Sequence, residues 1–176
     1  MTTRDTDWDG VRLHVITGKG GTGKTTVAGA LARRWECPVI DLDDLVARDA
    51  GVEAAAFLRS AGEGAFRRVE AAALVEALAA DAVVATGGGV VVTEDARALL
   101  GDECTLWLDA DDATLCERVA HGDRPLLGED CASSMARLRL EREPLYRSVA
   151  RVRVDASGPV AEVVDRLVDA WERVAP

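Results

Sequence analysis

Long apolar runs are absent from this chain: none approaches the ~18 to 20 residues that a helix needs to cross a bilayer. The first ten residues, MTTRDTDWDG, also lack the apolar stretch of a secretion signal. The cytoplasm is therefore the expected compartment. Net positive charge is missing too, since 31 acidic side chains outnumber 21 basic ones and leave a formal charge of -10. General attraction to nucleic acid or to an anionic membrane is not expected on that balance, and any anionic ligand must be held by a local basic cluster. Histidine is scarce, with only His14 and His121, and Cys37, Cys104, Cys116 and Cys131 lie in no CxxC or HxxxH pattern. A zinc site is not expected, and the four cysteines read as reduced thiols used as small apolar side chains.

What is present is the balance of a compact domain with a sizeable core: 48% of the residues are apolar and 30% charged. Residues 1–176 read as one domain, without an internal repeat or linker. Lysine is the most informative shortage. Of 21 basic side chains only Lys19 and Lys24 are lysines, and both fall in one glycine-rich segment. A chain that uses arginine everywhere else keeps a compact, flexible ammonium there.

Periodicity predicts an alternation of strands and helices. Val11 to Thr17 (VRLHVIT) reads as a buried strand running into GKGGTGKTT, with a helix from about Thr25 to Arg34. Val39 to Asp41, Ala82 to Ala85, Thr105 to Leu108 and Val152 to Asp155 read as further strands. Helices are expected from near Asp43, from Glu63 to Ala79, between Gly89 and Thr105, from Asp111 to Ala120, from a cap at Ser133 or Ser134 to Tyr146, and after Pro159. Residues 121–132 (HGDRPLLGEDCA) lack apolar periodicity and are expected to form a mobile lid. Five strands alternating with helices imply an α/β fold, a parallel sheet covered on both faces.

Gly18-Lys19-Gly20-Gly21-Thr22-Gly23-Lys24-Thr25 matches G-x-x-x-x-G-K-[ST] between a strand and a helix, the context in which this string forms a phosphate-binding loop. Glycines turn backbone N–H groups toward phosphates, and the helix N-terminus adds its positive end. Lys24 reaches the β and γ phosphates, and the Thr25 hydroxyl ligates magnesium. The expected nucleotide-binding set is Gly20, Gly21, Thr22, Gly23, Lys24, Thr25 and Thr26, and the nucleotide is ATP with Mg2+.

Four further features carry chemistry. Asp41 and Asp43 follow a strand end, where helix capping is the alternative use. Arg67 shares a helical face with Glu70, Leu74 and Leu78, while Arg142 follows Met135 and Leu138 at helical spacing, so each guanidinium must find an anion. Glu70, one turn after Arg67, could orient it toward a carboxylate. Gly87, Gly88 and Gly89 let backbone approach a ligand closely.

Asp41-Leu42-Asp43, Gly62-Glu63 with Phe66-Arg67 and Glu70, Gly87-Gly88-Gly89, Arg124-Pro125-Leu126-Leu127 and Glu141-Arg142-Glu143-Pro144-Leu145-Tyr146 occur in this order. Together they resemble the shikimate kinase family, a branch of the nucleoside monophosphate kinase fold, over roughly residues 11 to 170. The resemblance implies a three-layer P-loop fold with a five-stranded parallel sheet in order 2-3-1-4-5 and a mobile lid. It implies transfer of the ATP γ-phosphoryl group to a ring hydroxyl of shikimate. It further implies that Asp43 binds the acceptor hydroxyls and accepts a proton, and that Asp41 supports magnesium through water. Arg67, Arg142 and the glycine triplet would bind the acceptor carboxylate, Arg124 would close over the phosphates, and Arg118 would lie near adenine. A monomer with a small carboxylate-bearing acceptor is the expected working form.

The string also departs from the family. KGGTGKT resembles the deviant P-loop of partition and division-site ATPases, dimeric switches whose first lysine acts across an interface. Leu58 stands where the family usually has an aromatic, and Ala47 where glutamate is common. The stretches from Arg118 to Arg124 and from Arg124 to Arg142 are each one residue shorter. A kinase for a related carbocycle, an aminoshikimate or a cyclitol, thus stays open beside shikimate.

Overall fold

The computed structural model describes residues 13–120 and 130–174. Strands β1 (Leu13–Thr17), β2 (Val39–Asp41), β3 (Val83–Ala85), β4 (Cys104–Asp109) and β5 (Val152–Asp155) form one sheet in order β2-β3-β1-β4-β5, with every pairing parallel. That is the expected topology. The helices are α1 (Lys24–Trp35), α2 (Leu42–Ala50), α3 (Ala54–Ala61), α4 (Glu63–Leu78), α5 (Glu94–Asp102), α6 (Asp112–Ala120), α7 (Cys131–Val149) and α8 (Val160–Val174). A short 3-10 turn, Val90–Val92, follows the glycine triplet. No described helix is long and apolar enough to cross a membrane.

Alternation along the strands sends side chains to two cores. Leu106 and Leu108 pack with Ile16, Leu31, Val154 and Leu167 on the α1 and α8 side. Trp107, between them, packs on the other face with Leu74, Val84, Val90 and Tyr146. Both faces are therefore covered, as a parallel sheet requires. Register sets the functional edge: Ala85 lies beside Asp41 on one side and Ile16 on the other, and Thr17 lies beside Trp107. The ends of β1, β2, β3 and β4 thus open toward a common crevice, where open α/β sheets bind ligands.

The bounds of α7 and the state of the cysteines depart from expectation. The cap of α7 is Asp130, whose carboxylate accepts from Ser133 N at 3.1 Å, and the helix continues to Val149 rather than stopping at Tyr146. Residues 130–132 therefore cap and begin α7 rather than belonging to the lid, and 121–129 lie outside the described residues.

The second correction concerns the thiols. Cys116 and Cys131 form a disulfide, while Cys37 and Cys104 remain thiols. The end of α6 and the start of α7 come together with Cα atoms 5.8 Å apart, inside the range a disulfide spans, and a spacing of 15 residues does not reveal that proximity. Closing a loop of that size restrains the unfolded chain by roughly 3 kcal/mol. Urea unfolding with and without a thiol reductant is expected to show that difference. The Cys116→Ser variant should match the reduced protein and no longer respond to reductant. Equal curves, with four titratable thiols, would contradict the bond.

Candidate active site

The P-loop joins β1 to α1 and is held tightly from below. Gly18 has φ 149°, and a Cβ there would collide with the Leu108 carbonyl oxygen, so the loop turns where only glycine fits. Gly23 caps α1 at φ 84°, and Lys24 is its first helical residue. Lys24 is 9% exposed, and its Nζ donates to the Lys19 carbonyl oxygen at 2.9 Å. The ammonium thus bends back over its own loop, toward the concave side that phosphates occupy in such a turn.

At the end of β2, Asp41 does two things. Its Oδ1 accepts from the Asp43 backbone N–H at 3.0 Å, which caps α2, and its Oδ2 accepts from Thr25 Oγ1 at 2.6 Å. Capping therefore belongs to Asp41 and not to Asp43, which lies in the first turn of α2. Thr25 hydroxyl and Asp41 carboxylate together are a pair of hard oxygen donors, the chemistry that suits magnesium.

Asp43 faces the glycine triplet. A Cβ built on Gly87 would lie 2.9 Å from Glu70 Oε1 and 3.1 Å from Asp43 Oδ1, so the bare glycine lets these two carboxylates approach the loop where they stand. Gly89 is approached more closely still by Arg67, whose guanidinium occupies the space a side chain would need. Arg67 Nη1 donates to Glu70 Oε2 at 2.6 Å and Nη2 to Glu63 Oε1 at 3.1 Å, while Nε is buried without a hydrogen-bond partner. Glu63 is a second holder of Arg67 that helical spacing alone did not single out. Burial pushes the Glu70 carboxyl above its ordinary range, with Arg67 opposing. Its Oε1 also has no hydrogen-bond partner. Arg67 Nε and Glu70 Oε1 are thus two buried polar atoms of the site left without a hydrogen-bond partner.

Arg142 reaches the same triplet from α7, with Nη1 donating to the Gly88 carbonyl oxygen at 2.9 Å. Tyr146 Oη donates to that oxygen at 2.5 Å. Tyr146 is buried and stacks on Trp107 with ring centroids 5.7 Å apart. It appeared in the sequence only as the end of a short string. Arg118 is half-buried on α6 and donates from Nη2 to the Ala156 carbonyl oxygen at 2.9 Å. A cleft of about 420 Å³ at the ends of β4 and β5 is lined by Asp109, Ala110, Asp111, Arg153, Asp155 and Ser157. Thr26 is exposed at the third position of α1, and Arg124 lies outside the described residues.

One edge of the sheet therefore gathers a lysine-bearing phosphate loop, two aspartates, and two arginines around a glycine triplet. A family model described as shikimate kinase matches residues 20–172. The chain belongs to the shikimate kinase family. It is 40% identical to the shikimate kinase of Symbiobacterium thermophilum over 171 residues, covering 90% of this chain and 98% of that one. It is 37% identical to the shikimate kinase of Corynebacterium efficiens over 164 residues, covering 89% and 97%. Among solved structures, the shikimate kinase from Acinetobacter baumannii in complex with shikimate superposes with a TM-score of 0.86 at 26% identity, covering 95% of this chain and 97% of that chain. Membership makes this chain an ATP-dependent kinase acting on an alcohol.

Among the family departures, Leu58 sits on α3, partly buried against the core that contains Phe66. The neighbouring Phe57 meets Phe66 at 6.3 Å between ring centroids, and the Arg67 guanidinium lies 5.2 Å from the Phe66 ring. An aromatic wall next to Arg67 is therefore supplied by Phe57 and Phe66.

Proposed function

We infer that this kinase transfers the γ-phosphoryl group of ATP to a ring hydroxyl of shikimate, giving shikimate 3-phosphate. The observation that carries the reading is the convergence of Arg67 and Arg142 on Gly87 to Gly89, beside Asp43 and across from the P-loop. Two guanidinium groups there suit an acceptor with a carboxylate and are unneeded by a neutral sugar. Asp43 accepts the proton of the attacking hydroxyl, and Lys24 stabilises charge on the transferring group. Thr25 would hold the magnesium ion, with Asp41 supporting it through water, and the ion would neutralise phosphate charge when bound. Arg118 would serve the adenine side of the nucleotide. The protein acts as a cytoplasmic monomer of one domain.

The dimeric-switch reading places the first P-loop lysine across an interface. Lys19 is instead 3% exposed and donates to Asp112 of its own chain at 2.7 Å. That observation favours the kinase.

The test follows ADP release with ATP and magnesium across shikimate, aminoshikimate, quinate, gluconate, simple cyclitols and nucleoside monophosphates. Shikimate is expected to give the highest kcat/KM. Arg67→Lys is expected to raise the acceptor KM about tenfold and move that for ATP little, because a point charge cannot replace the planar fork. The carboxamide of shikimate should lose the same binding in the wild type and little more in the variant, since both changes remove one interaction. Equal turnover of acid and amide, or preference for an uncharged cyclitol, would overturn shikimate and leave the kinase standing.

A further inference from the structure

Lys19 is the second residue of the P-loop, and its ammonium is buried in a cluster that the phosphate chemistry does not use. Its Nζ lies 2.7 Å from Asp112 Oδ1 at the start of α6 and 4.0 Å from Asp109 Oδ1 at the end of β4. Arg139, from α7, reaches the same two carboxylates. Its Nη1 donates to Asp109 Oδ2 at 3.2 Å, its Nη2 to Asp112 Oδ1 at 3.0 Å, and its Nη2 also to the Ala110 carbonyl oxygen at 2.8 Å. Arg153 of β5 adds a bond to Asp109 Oδ2 at 2.6 Å. Three cations from three elements share two carboxylates, and the Asp109 side chain is fully buried. Ion pairs built on a buried lysine and a buried carboxylate contribute little net stability over an apolar replacement, so what they fix is position.

The other end of Lys19 shows what is positioned. Its carbonyl oxygen accepts from Lys24 Nζ and from Thr22 Oγ1, each at 2.9 Å. Gly88 seats against the same stretch: a Cβ there would lie 3.2 Å from Gly20 N and 3.5 Å from the Lys19 carbonyl carbon. The Lys19 peptide is therefore gripped by its side chain on one side and by the glycine triplet on the other. Rotation of that peptide would carry the Lys24 ammonium with it.

We propose that Lys19 is a positioning residue for the transfer reaction, whose ion pair with Asp112, shared with Arg139, fixes the Lys19 peptide and through it the Lys24 ammonium. This rests on the kinase reading of the P-loop, and it assigns Lys19 a role within one chain. Loss of the pair loosens the nucleotide side of the site and leaves the acceptor side in place.

The experiment compares wild type, Lys19→Met, Asp112→Asn and the double variant by steady-state kinetics, ADP titration and melting temperature. Lys19→Met is expected to raise the ATP KM and the ADP Kd about tenfold, the scale of one lost bond between charged groups. The acceptor KM should change less than twofold. Asp112→Asn should move both nucleotide constants in the same direction, and the double variant should be no worse than the worse single one. A fall in melting temperature with unchanged ATP KM and ADP Kd would overturn the proposal, as would additive losses in the double variant. Should Lys19→Met fail to fold, Asp112→Asn carries the test, since that side chain is partly exposed. ADP titration needs no acceptor, so a wild type inactive on shikimate would count against the assigned substrate while the ADP constants still decide on Lys19.

Discussion

Lys24→Ala is expected to abolish phosphoryl transfer without unfolding the protein. Lys24 starts α1 and bends its ammonium back onto the Lys19 carbonyl oxygen inside the loop. Alanine is a good helix former and leaves the α1 backbone intact. In the proposed mechanism, what disappears is the positive charge that stabilises negative charge on the transferring group. By the scale of one removed oxyanion donor this costs about 2.7 to 4 kcal/mol, a loss of 10² to 10³ in kcat. The check is turnover with saturating ATP and shikimate, with circular dichroism and melting temperature measured on the same preparation. A variant that keeps most of its turnover would remove the P-loop from the mechanism. The contrast with Lys19→Met is informative because the two lysines share one carbonyl. The first change deletes the charge and the second only releases it, so kcat should fall for Lys24→Ala and the nucleotide constants should rise for Lys19→Met.

How far the sequence speaks for this site depends on how local each feature is. The P-loop is legible because strand, turn and helix are contiguous, and the strands are legible from runs such as VRLHVIT. The sheet order comes from the resemblance, since periodicity does not say which strand lies beside which. Pairing of Arg67 with Glu70 follows from one helical turn, and the structure shows it at 2.6 Å. The partners of Lys19 are another matter. Asp112 is 93 positions away, and the two meet only because β1 and β4 are neighbours with a fixed register. Tyr146 and Gly88 are 58 positions apart and meet because α7 packs against the 3-10 turn that follows the triplet. The Cys116–Cys131 bond hid for the same reason: α6 and α7 lie side by side only in the folded chain. The cap of α7 shows a subtler limit. Asp130, Ser133 and Ser134 are all capping types, and the choice depends on where α7 begins, which its seat beside α6 sets.

Asp43→Asn separates chemistry from architecture, because Asp43 does not cap its helix. Asp41 accepts from the Asp43 backbone N–H, and that bond is made by the main chain, so it survives any side chain at position 43. Asparagine has nearly the same shape and can keep a hydrogen bond to an acceptor hydroxyl. It cannot take the proton from that hydroxyl. The neighbourhood makes the carboxylate costly to replace: Asp43 Oδ1 meets the glycine triplet at Gly87, with Glu70 on the same spot. Turnover is therefore expected to fall by about 10² to 10⁴, the contribution of a positioned general base. The shikimate KM should move far less, and the melting temperature should stay within a few degrees, since surface and half-buried polar changes of this size usually cost ~0.5 kcal/mol or less. A near-silent Asp43→Asn, with full turnover and an unchanged melting temperature, would move the proton to another acceptor and leave Asp43 as a hydroxyl-binding group only.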